Sequence, residues 1–521
     1  MITPTSFRVR NLRSLQDSGQ IQLKPITVLV GRNSTGKSTF ARLFPLLRQS
    51  AEAAKRGPLL WWGRLVDFGS FEQSVNRLSE KKNIGLDFSV SFDEESLTTR
   101  MRKAYGRLSI LRALEPGEID VSLEFDQTSS GLTYTSSITL KLFDFTAAIF
   151  LDSDGFTKEI KCGLFSWKPT ATTVCYAAQD SLIPNPAFFK AAGGPQGSGN
   201  WESYDPIRLE LQKAIRPFVH GNTTEDKIRQ LSYRIPIGTR SAIYSELLRT
   251  ANPPSFRENL QYSGPESEVF KRLCDISFAS QLDVIIEKTA NAIASFSSEV
   301  IYLEPLRATA QRYYRQQSLA VGEIDSKGEN IAMFLDSLSP SSMKAFQEWT
   351  LAHFGIIVSP RKEGGHISLT IKQSNDGAET NIADMGFGFS QMLPIAAQLW
   401  AASAEKTLFR VSRRQGSMPL IVMEQPELHL HPEYQARLAD VFVAAINRTA
   451  QNGIRIIAET HSHSLINRLG ALVADSIISR DAIQIVLFEQ DDNLSRSTTR
   501  VAEFDDEGIL QNWPTGFFQT A

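Results

Sequence analysis

The stretch Gly31-Arg32-Asn33-Ser34-Thr35-Gly36-Lys37-Ser38 lies between an apolar run, Ile26 to Val30, and an amphipathic segment, Thr39 to Leu47. The pattern predicts a strand, a glycine-bracketed loop and a helix, and it meets every fixed position of a G-x-x-x-x-G-K-[ST] phosphate loop. Gly31 and Gly36 let the backbone curl so that the N–H groups of Asn33, Ser34, Thr35 and their neighbours converge, and the helix aims its positive end at the same point. Lys37 is then placed to neutralise β- and γ-phosphates, the Ser38 hydroxyl to ligate Mg²⁺, and Thr39 to continue the phosphate-facing turn. A plain glycine turn before a buried helix is the bland alternative, and the complete pattern in context weighs against it. The segment implies binding of a nucleoside triphosphate.

Composition narrows the setting. The 521 residues suffice for two or three globular units, and no uncharged apolar run approaches the ~20 residues that cross a bilayer. Met1 to Arg10 has no apolar signal-peptide core, so a cytoplasmic protein without membrane contact is expected. Three cysteines without C-x-x-C spacing indicate neither a disulfide framework nor a thiolate zinc site. With 55 Lys+Arg against 57 Asp+Glu there is no global basic footprint for nucleic acid, although a local basic face can hide in a neutral total.

Period-two alternation predicts strands at Ile84–Phe92, Ile119–Phe125, Leu132–Phe143 and Ala148–Leu151, an antiparallel sheet in an N-terminal lobe spanning 1–183. Pro, Gly and Ser cluster from Pro184 to Gly199, and helical patterning follows at Ile207–Phe218, Glu225–Leu231, Ser241–Leu248 and Leu282–Phe296. Residues 184–299 thus read as a compact helical insertion without a sustained heptad run. A C-terminal lobe, 300–521, returns to strands at Val300–Leu303, Ile356–Ser359 and His366–Lys372.

Two further apolar strands in that lobe end in polar tips. Pro419 to Glu424 runs into Gln425-Pro426-Glu427-Leu428-His429-Leu430-His431-Pro432, and an acid at the tip of a buried strand is what a second Mg²⁺ ligand requires. Ile454 to Ala458 runs into Glu459-Thr460-His461-Ser462-His463, where His461 can sense a γ-phosphate. Upstream, Asp384-Met385-Gly386-Phe387-Gly388-Phe389-Ser390-Gln391 opens an apolar helix predicted from Met392 to Trp400. Ser390 is its expected N-cap, making a second anion-binding helix start.

In order and spacing these motifs resemble the ATP-binding-cassette (ABC) ATPases, specifically the SMC-like and overcoming-lysogenization-defect (OLD-like) branch. The resemblance rests on Phe7 to Leu15, the phosphate loop, Gly386 to Gln391, Glu424 to Pro432 and Glu459 to His463, and leaves roughly Pro184 to Glu299 unmatched. Leu303-Glu304-Pro305-Leu306-Arg307, Arg312-Tyr313-Tyr314, Gly328-Glu329-Asn330, Asp506-Glu507-Gly508 and Trp513 to Phe518 are similar to bacterial ATPases of retron and Septu-like phage-defence systems, which work beside a separate nuclease. The resemblance implies an α/β ABC-type head of mixed sheet and flanking helices, with an antiparallel β subdomain and a helical insertion. It also implies ATP and Mg²⁺ as cofactors, with Ser38 and Glu424 as metal ligands. Two chains would sandwich ATP head to tail, Gly388 and Ser390 of one meeting the γ-phosphate held by Lys37 of the other.

The chain departs from that pattern at the strand tip. A second acid usually follows the first and acts on water, and here the position is Gln425, which cannot accept a proton at neutral pH. Slow hydrolysis is expected, with Gln425 orienting water and Glu427 or Glu459 as substitute bases. No residue among Asp67 to Phe71 and Gln73 stands out as the usual Q-loop glutamine. The pairs His429/His431 and His461/His463 invite a metal reading, but the ATPase loops already account for both. OLD-type enzymes attach a Toprim nuclease, and the roughly 60 residues after His463 are fewer than such a domain needs.

Arg307, Arg312 and Arg315 with Tyr313 and Tyr314 could touch nucleic acid, a solvated or phosphate-proximal edge being the favoured alternative. Arg100, Arg102, Lys103, Arg107 and Arg112 suggest a one-sided basic helix. The expectation is a slow ATPase that senses phage or DNA state and controls an effector nuclease. The alternatives are a non-hydrolysing ATP-clamped scaffold and a repair-like ATPase acting on DNA.

Overall fold

Parallel pairing of five buried strands builds the sheet that carries the phosphate loop. In the computed structural model, which describes residues 2–102, 108–191, 201–316, 321–373, 377–404, 418–449, 453–490 and 497–514, their spatial order is Val300–Leu303, Leu420–Glu424, Arg455–Glu459, Ile26–Gly31 and Ile483–Gln490. Antiparallel Ser497–Phe504 and Leu510–Gln511 extend this sheet to seven strands. The strands at its centre are almost wholly Ile, Leu, Val and Met because both faces are covered, and every residue of Ile26–Gly31 and Leu420–Glu424 is buried. This sheet belongs to a unit made of residues 13–49, 63–67 and 296–521. Helix Lys37–Glu52 as far as Gln49, and helices Phe387–Ser403, Pro432–Arg448 and His463–Ala474, lie in the same unit, the last three supplying a large share of its apolar core.

Register decides where chemistry can happen. Glu424 pairs with Glu459, and Glu459 with Leu29, two residues before Gly31. The carboxyl ends of three neighbouring parallel strands therefore deliver two acids and the phosphate loop to one edge, where α/β sheets place their ligands.

The other unit comprises residues 1–12, 50–62 and 68–295. Its antiparallel strands run in the order Phe165–Trp167, Thr157–Cys162, Phe145–Leu151, Thr133–Leu142, Gly117–Gln127, Ile84–Phe92 and Thr3–Leu12. Alternating burial shows one face packed and one wet, as in Gly117–Gln127. Helices Pro206–Ile215, Glu225–Ser232, Arg240–Thr250, Pro254–Ser263 and Glu268–Ala279 belong here too. Phe278 stacks on Phe145 at 4.9 Å, and the Arg240 guanidinium lies 4.8 Å from the centre of the same Phe145 ring.

The expected basic helix around residue 100 is corrected to a hairpin, Thr99–Arg102 paired antiparallel with Leu108–Leu111. The alternation in Thr99-Arg100-Met101-Arg102 has the period of a strand, which charge counting overlooks. Lys103 and Arg107 lie outside the described residues. Between Pro184 and Asp205 the chain also forms strands, Ala187–Ala191 and Trp201–Ser203, in a three-stranded sheet with Thr173–Tyr176.

Candidate nucleotide site

The loop after Ile26–Gly31 has the backbone its glycines permit. Gly31 has φ +150° and Gly36 φ +104°, while Ser34 takes the left-handed region at φ +66°. A Cβ on Gly31 would lie 2.3 Å from the Phe488 carbonyl oxygen, and one on Gly36 2.3 Å from Leu15 Cδ2. Arg32, Asn33 and Ser34 are exposed, whereas Thr35, Gly36, Lys37 and Thr39 are buried and Ser38 is half-buried. The Thr35 hydroxyl donates to the Arg32 carbonyl at 2.8 Å. Helix Lys37–Glu52 starts here, so its first N–H groups face the loop, as anion binding requires.

Lys37 folds back onto its own loop, Nζ donating to the carbonyls of Gly31 at 2.9 Å and Arg32 at 2.7 Å. Burial lowers its pKa, and the nearby Glu459 opposes that shift. Glu459 Oε1 accepts from the Ser38 hydroxyl at 2.8 Å and lies 3.9 Å from Lys37 Nζ. Its Oε2 is buried without a hydrogen-bond partner. Burial pushes the carboxyl up to about 7 against the pull of Ser38, with Glu424 adding to the rise and Lys37 and Arg42 opposing it.

Glu424 is held differently. Arg42 Nε donates to Oε1 and Nη2 to Oε2, both at 2.7 Å, and the Tyr302 hydroxyl donates to Oε1 at 2.6 Å. The bidentate bond to Glu424 raises the Arg42 pKa, while burial and then the Glu424 charge raise that of Tyr302. Sequence reasoning missed both partners. The signal for Arg42 was its place four residues after Ser38, one turn along the same helix face; Tyr302 gave none, because its strand neighbours Glu424 only through the sheet order.

At the tip, Gln425 takes φ +43° and its N–H donates to the Glu459 carbonyl at 2.8 Å. Glu427 is 8% exposed; Oε1 accepts the His461 N–H at 2.7 Å and Oε2 is buried without a partner. Burial raises its pKa, and the bond from His461 works against that. Glu427 thus ties the two strand tips together. His461 is exposed, yet desolvation and the Lys37 ammonium lower its pKa.

The other three histidines of the two pairs are separately employed. His429 meets the Phe387 ring edge-on at 5.0 Å, His431 Nδ1 accepts the Glu433 N–H at the start of Pro432–Arg448, and His463 lies beside Asn467. Among the described residues no three His, Cys, Asp or Glu side chains gather into a metal cluster.

The apolar helix starts earlier than expected. It runs Phe387–Ser403 with Gly386 as N-cap, so Ser390 lies in the first turn and is not the cap. Gly386 enters the helix with extended backbone, and the chain is helical from Phe387 onward. The Ser390 hydroxyl donates to the Phe387 carbonyl at 2.7 Å, and a Cβ on Gly388 would lie 3.3 Å from the His429 carbonyl. Gln73 spends its side chain in a capping box with Ser70.

Arg307, grouped from sequence with exposed neighbours, is 4% exposed. It reaches the carbonyls of Glu304, Gln425 and Pro426 at 3.0, 3.4 and 3.4 Å, while its backbone exchanges two hydrogen bonds with the Gln391 amide. Burial lowers its pKa to about 10, with Glu427 opposing. Arg307 braces the tip from behind. Arg307→Ala is expected to cost about 2–3 kcal/mol by stranding these acceptors and Glu427, read as a lowered thermal midpoint.

Two stretches of the chain match known families. Residues 5–104, which include the phosphate loop, match a family described as "AAA ATPase domain". Residues 217–467, which include both strand tips, match one described as "AAA domain, putative AbiEii toxin, Type IV TA system". Solved structures with similarity include the SMC head domain from Thermotoga maritima, at 9% identity over 96% of this chain and 98% of that one, with a TM-score of 0.34. An SMC head bound to the C-terminal winged-helix domain of ScpA gives 9%, 96%, 98% and 0.33. No curated protein matches. Both motif clusters of the chain thus fall in stretches that match ATPase-domain families, on an α/β fold whose largely parallel sheet carries the phosphate loop.

Proposed function

We propose that this protein is a slow ATPase of the ABC type that dimerises head to tail on ATP and controls a separate effector, a nuclease, in bacterial defence against phage. The observation that carries the reading is the convergence of Lys37, Ser38, Glu424 and Glu459 at one sheet edge beside a loop whose backbone only glycine can supply. The donors fit Mg²⁺: a hydroxyl and carboxylates, all oxygen, with one buried carboxylate oxygen lacking a partner. When bound, Mg²⁺ would draw charge from the phosphate oxygens.

The chain's own groups supply the rest. Lys37 exchanges the Gly31 and Arg32 carbonyls for phosphate oxygens, the N–H groups from Asn33 to Thr39 cradle the triphosphate, and His461 contacts the γ-phosphate. Gln425 orients the attacking water without taking its proton, which is why turnover is slow. Gly388 and Ser390 of one chain complete the site of the other, since each chain holds one copy of each motif. A closed dimer then persists until hydrolysis or a trigger opens it. The family name attached to residues 217–467, a toxin of a type IV TA system, supports a place in a partner-controlled bacterial system. A cytoplasmic location fits, and among the described residues no helix is long and apolar enough to cross a membrane.

Single-turnover hydrolysis with light scattering tests the proposal. ATP-dependent doubling of mass with slow phosphate release is expected; a monomer at saturating ATP sinks the dimer, and tight binding without any release leaves an ATP-clamped scaffold.

One observation favours a second reading, contact with nucleic acid. In the unit of antiparallel strands, a groove of about 790 Å³ holds Lys190, Arg216, Arg272 and Tyr204 beside Glu225 and a Lys213–Glu210 ion pair, with Lys190 Nζ 5.6 Å from the centre of the Tyr204 ring. Cations beside an aromatic face suit a single strand. Oligonucleotide affinity should then fall with salt, and Lys190→Glu with Arg272→Glu should each lower the log–log slope by about 1. Binding that ignores salt would remove this reading.

A further inference from the structure

We propose that Glu459, and not Glu424, is the carboxylate that holds Mg²⁺ together with Ser38, and that Glu424 anchors the neighbouring strand tip through Arg42 and Tyr302. The inference rests on the nucleotide reading above and reassigns its metal ligand.

Three observations separate the two acids, although they pair in register. Glu424 has both oxygens occupied by charge-assisted or buried donors, two from Arg42 and one from Tyr302, at 2.6–2.7 Å. Its charge is matched by a guanidinium that cannot be deprotonated, so taking up a cation means displacing a bidentate pair. Glu459 instead has one oxygen on the Ser38 hydroxyl, the group that a phosphate loop offers to Mg²⁺, and the other buried with no donor at all. A buried carboxylate oxygen without a partner is costly, and a cation relieves that cost directly.

The third observation is position. The Glu459 carboxylate lies 3.9 Å from Lys37 Nζ, on the phosphate side of the site, whereas Glu424 reaches back toward Arg42, one helical turn beyond Ser38. When Lys37 leaves the loop carbonyls for phosphates, the region around Glu459 gains the negative charge of the triphosphate, and a divalent cation compensates both. Hydroxyl and carboxylate at hydrogen-bond distance from each other can share one small cation after the bond between them opens. The orphaned oxygen is what a sequence motif cannot display, because the acid of the motif, Glu424, lies on the next strand.

The test compares Glu459→Gln and Glu424→Gln with the parent protein, reading Mn²⁺ binding by electron paramagnetic resonance in the presence of a non-hydrolysable ATP analogue. Affinity for the analogue is measured in parallel with Mg²⁺ and in EDTA. Glu459→Gln should weaken Mn²⁺ by about 10–100-fold and erase the Mg²⁺ dependence of nucleotide binding, while binding in EDTA stays equal or tightens because a negative charge near the phosphates is gone. Glu424→Gln should weaken Mn²⁺ by less than about 3-fold. Nucleotide binding in EDTA also certifies that each variant is folded; if Glu459→Gln fails that control, Glu459→Asp takes its place and should show a smaller loss of the same kind. Loss of Mn²⁺ in Glu424→Gln with retention in Glu459→Gln, or equal retention in both, overturns the assignment. A parent protein that binds no analogue with or without metal overturns the nucleotide reading itself, a distinguishable failure.

Discussion

Lys37→Ala should reduce ATP turnover by at least about 10²–10³-fold, the scale on which a single preorganised donor acts in a water-poor site. The ammonium is 3% exposed and spends its hydrogen bonds on two loop carbonyls, 2.9 and 2.7 Å away. Those bonds keep the lysine beside the loop until it exchanges the carbonyls for phosphate oxygens. Alanine removes the charge that balances the β- and γ-phosphates, and nothing nearby replaces it: Arg42 is committed to Glu424. Nucleotide affinity should fall as well, measured by fluorescence of a labelled ATP. Retained turnover in Lys37→Ala would mean that the activity resides elsewhere in the chain or in a contaminant.

Gln425→Glu should raise turnover by about 10²-fold, the low end of what a positioned general base contributes. The residue already sits at the strand tip in the left-handed region, its N–H fixed on the Glu459 carbonyl, so the new carboxylate would occupy the same place as the amide. Glu424 and Glu459 lie next door, and a third acid would be crowded in the empty site. The gain should therefore be larger at saturating Mg²⁺ and shrink steeply as the metal is limited, a dependence that steady-state phosphate release can follow. A flat response would place the brake on dimer opening instead of on chemistry.

Much of the candidate site's edge was legible because its residues are consecutive. Apolar runs with a polar last residue, Leu420 to Glu424 and Ile456 to Glu459, announce buried strands with acidic tips, and the glycine spacing of the phosphate loop is close to self-explanatory. The helix starts were less legible: Ser390 looks like a cap, but whether a cap forms depends on where the backbone leaves extended geometry, here at Gly386. Arg42, Tyr302 and Arg307 escaped because these partners lie 382, 122 and 118 residues away and their roles follow from strand order. The hairpin at Thr99–Arg102 was obscured by its charges, which drew attention away from the alternation beneath them.

Glu459 touches the phosphate loop with its side chain and the Gln425 peptide with its carbonyl. A single residue thereby links the phosphate loop to Gln425, the group proposed to orient water. Any tilt of the Glu459 peptide that accompanies filling of the loop is transmitted to Gln425 across one 2.8 Å bond, with no intervening packing to absorb it. On the proposed reading this is a lever: a nucleotide that moved Glu459 on one side would shift Gln425 on the other, so filling the loop would also re-aim the group proposed to orient water.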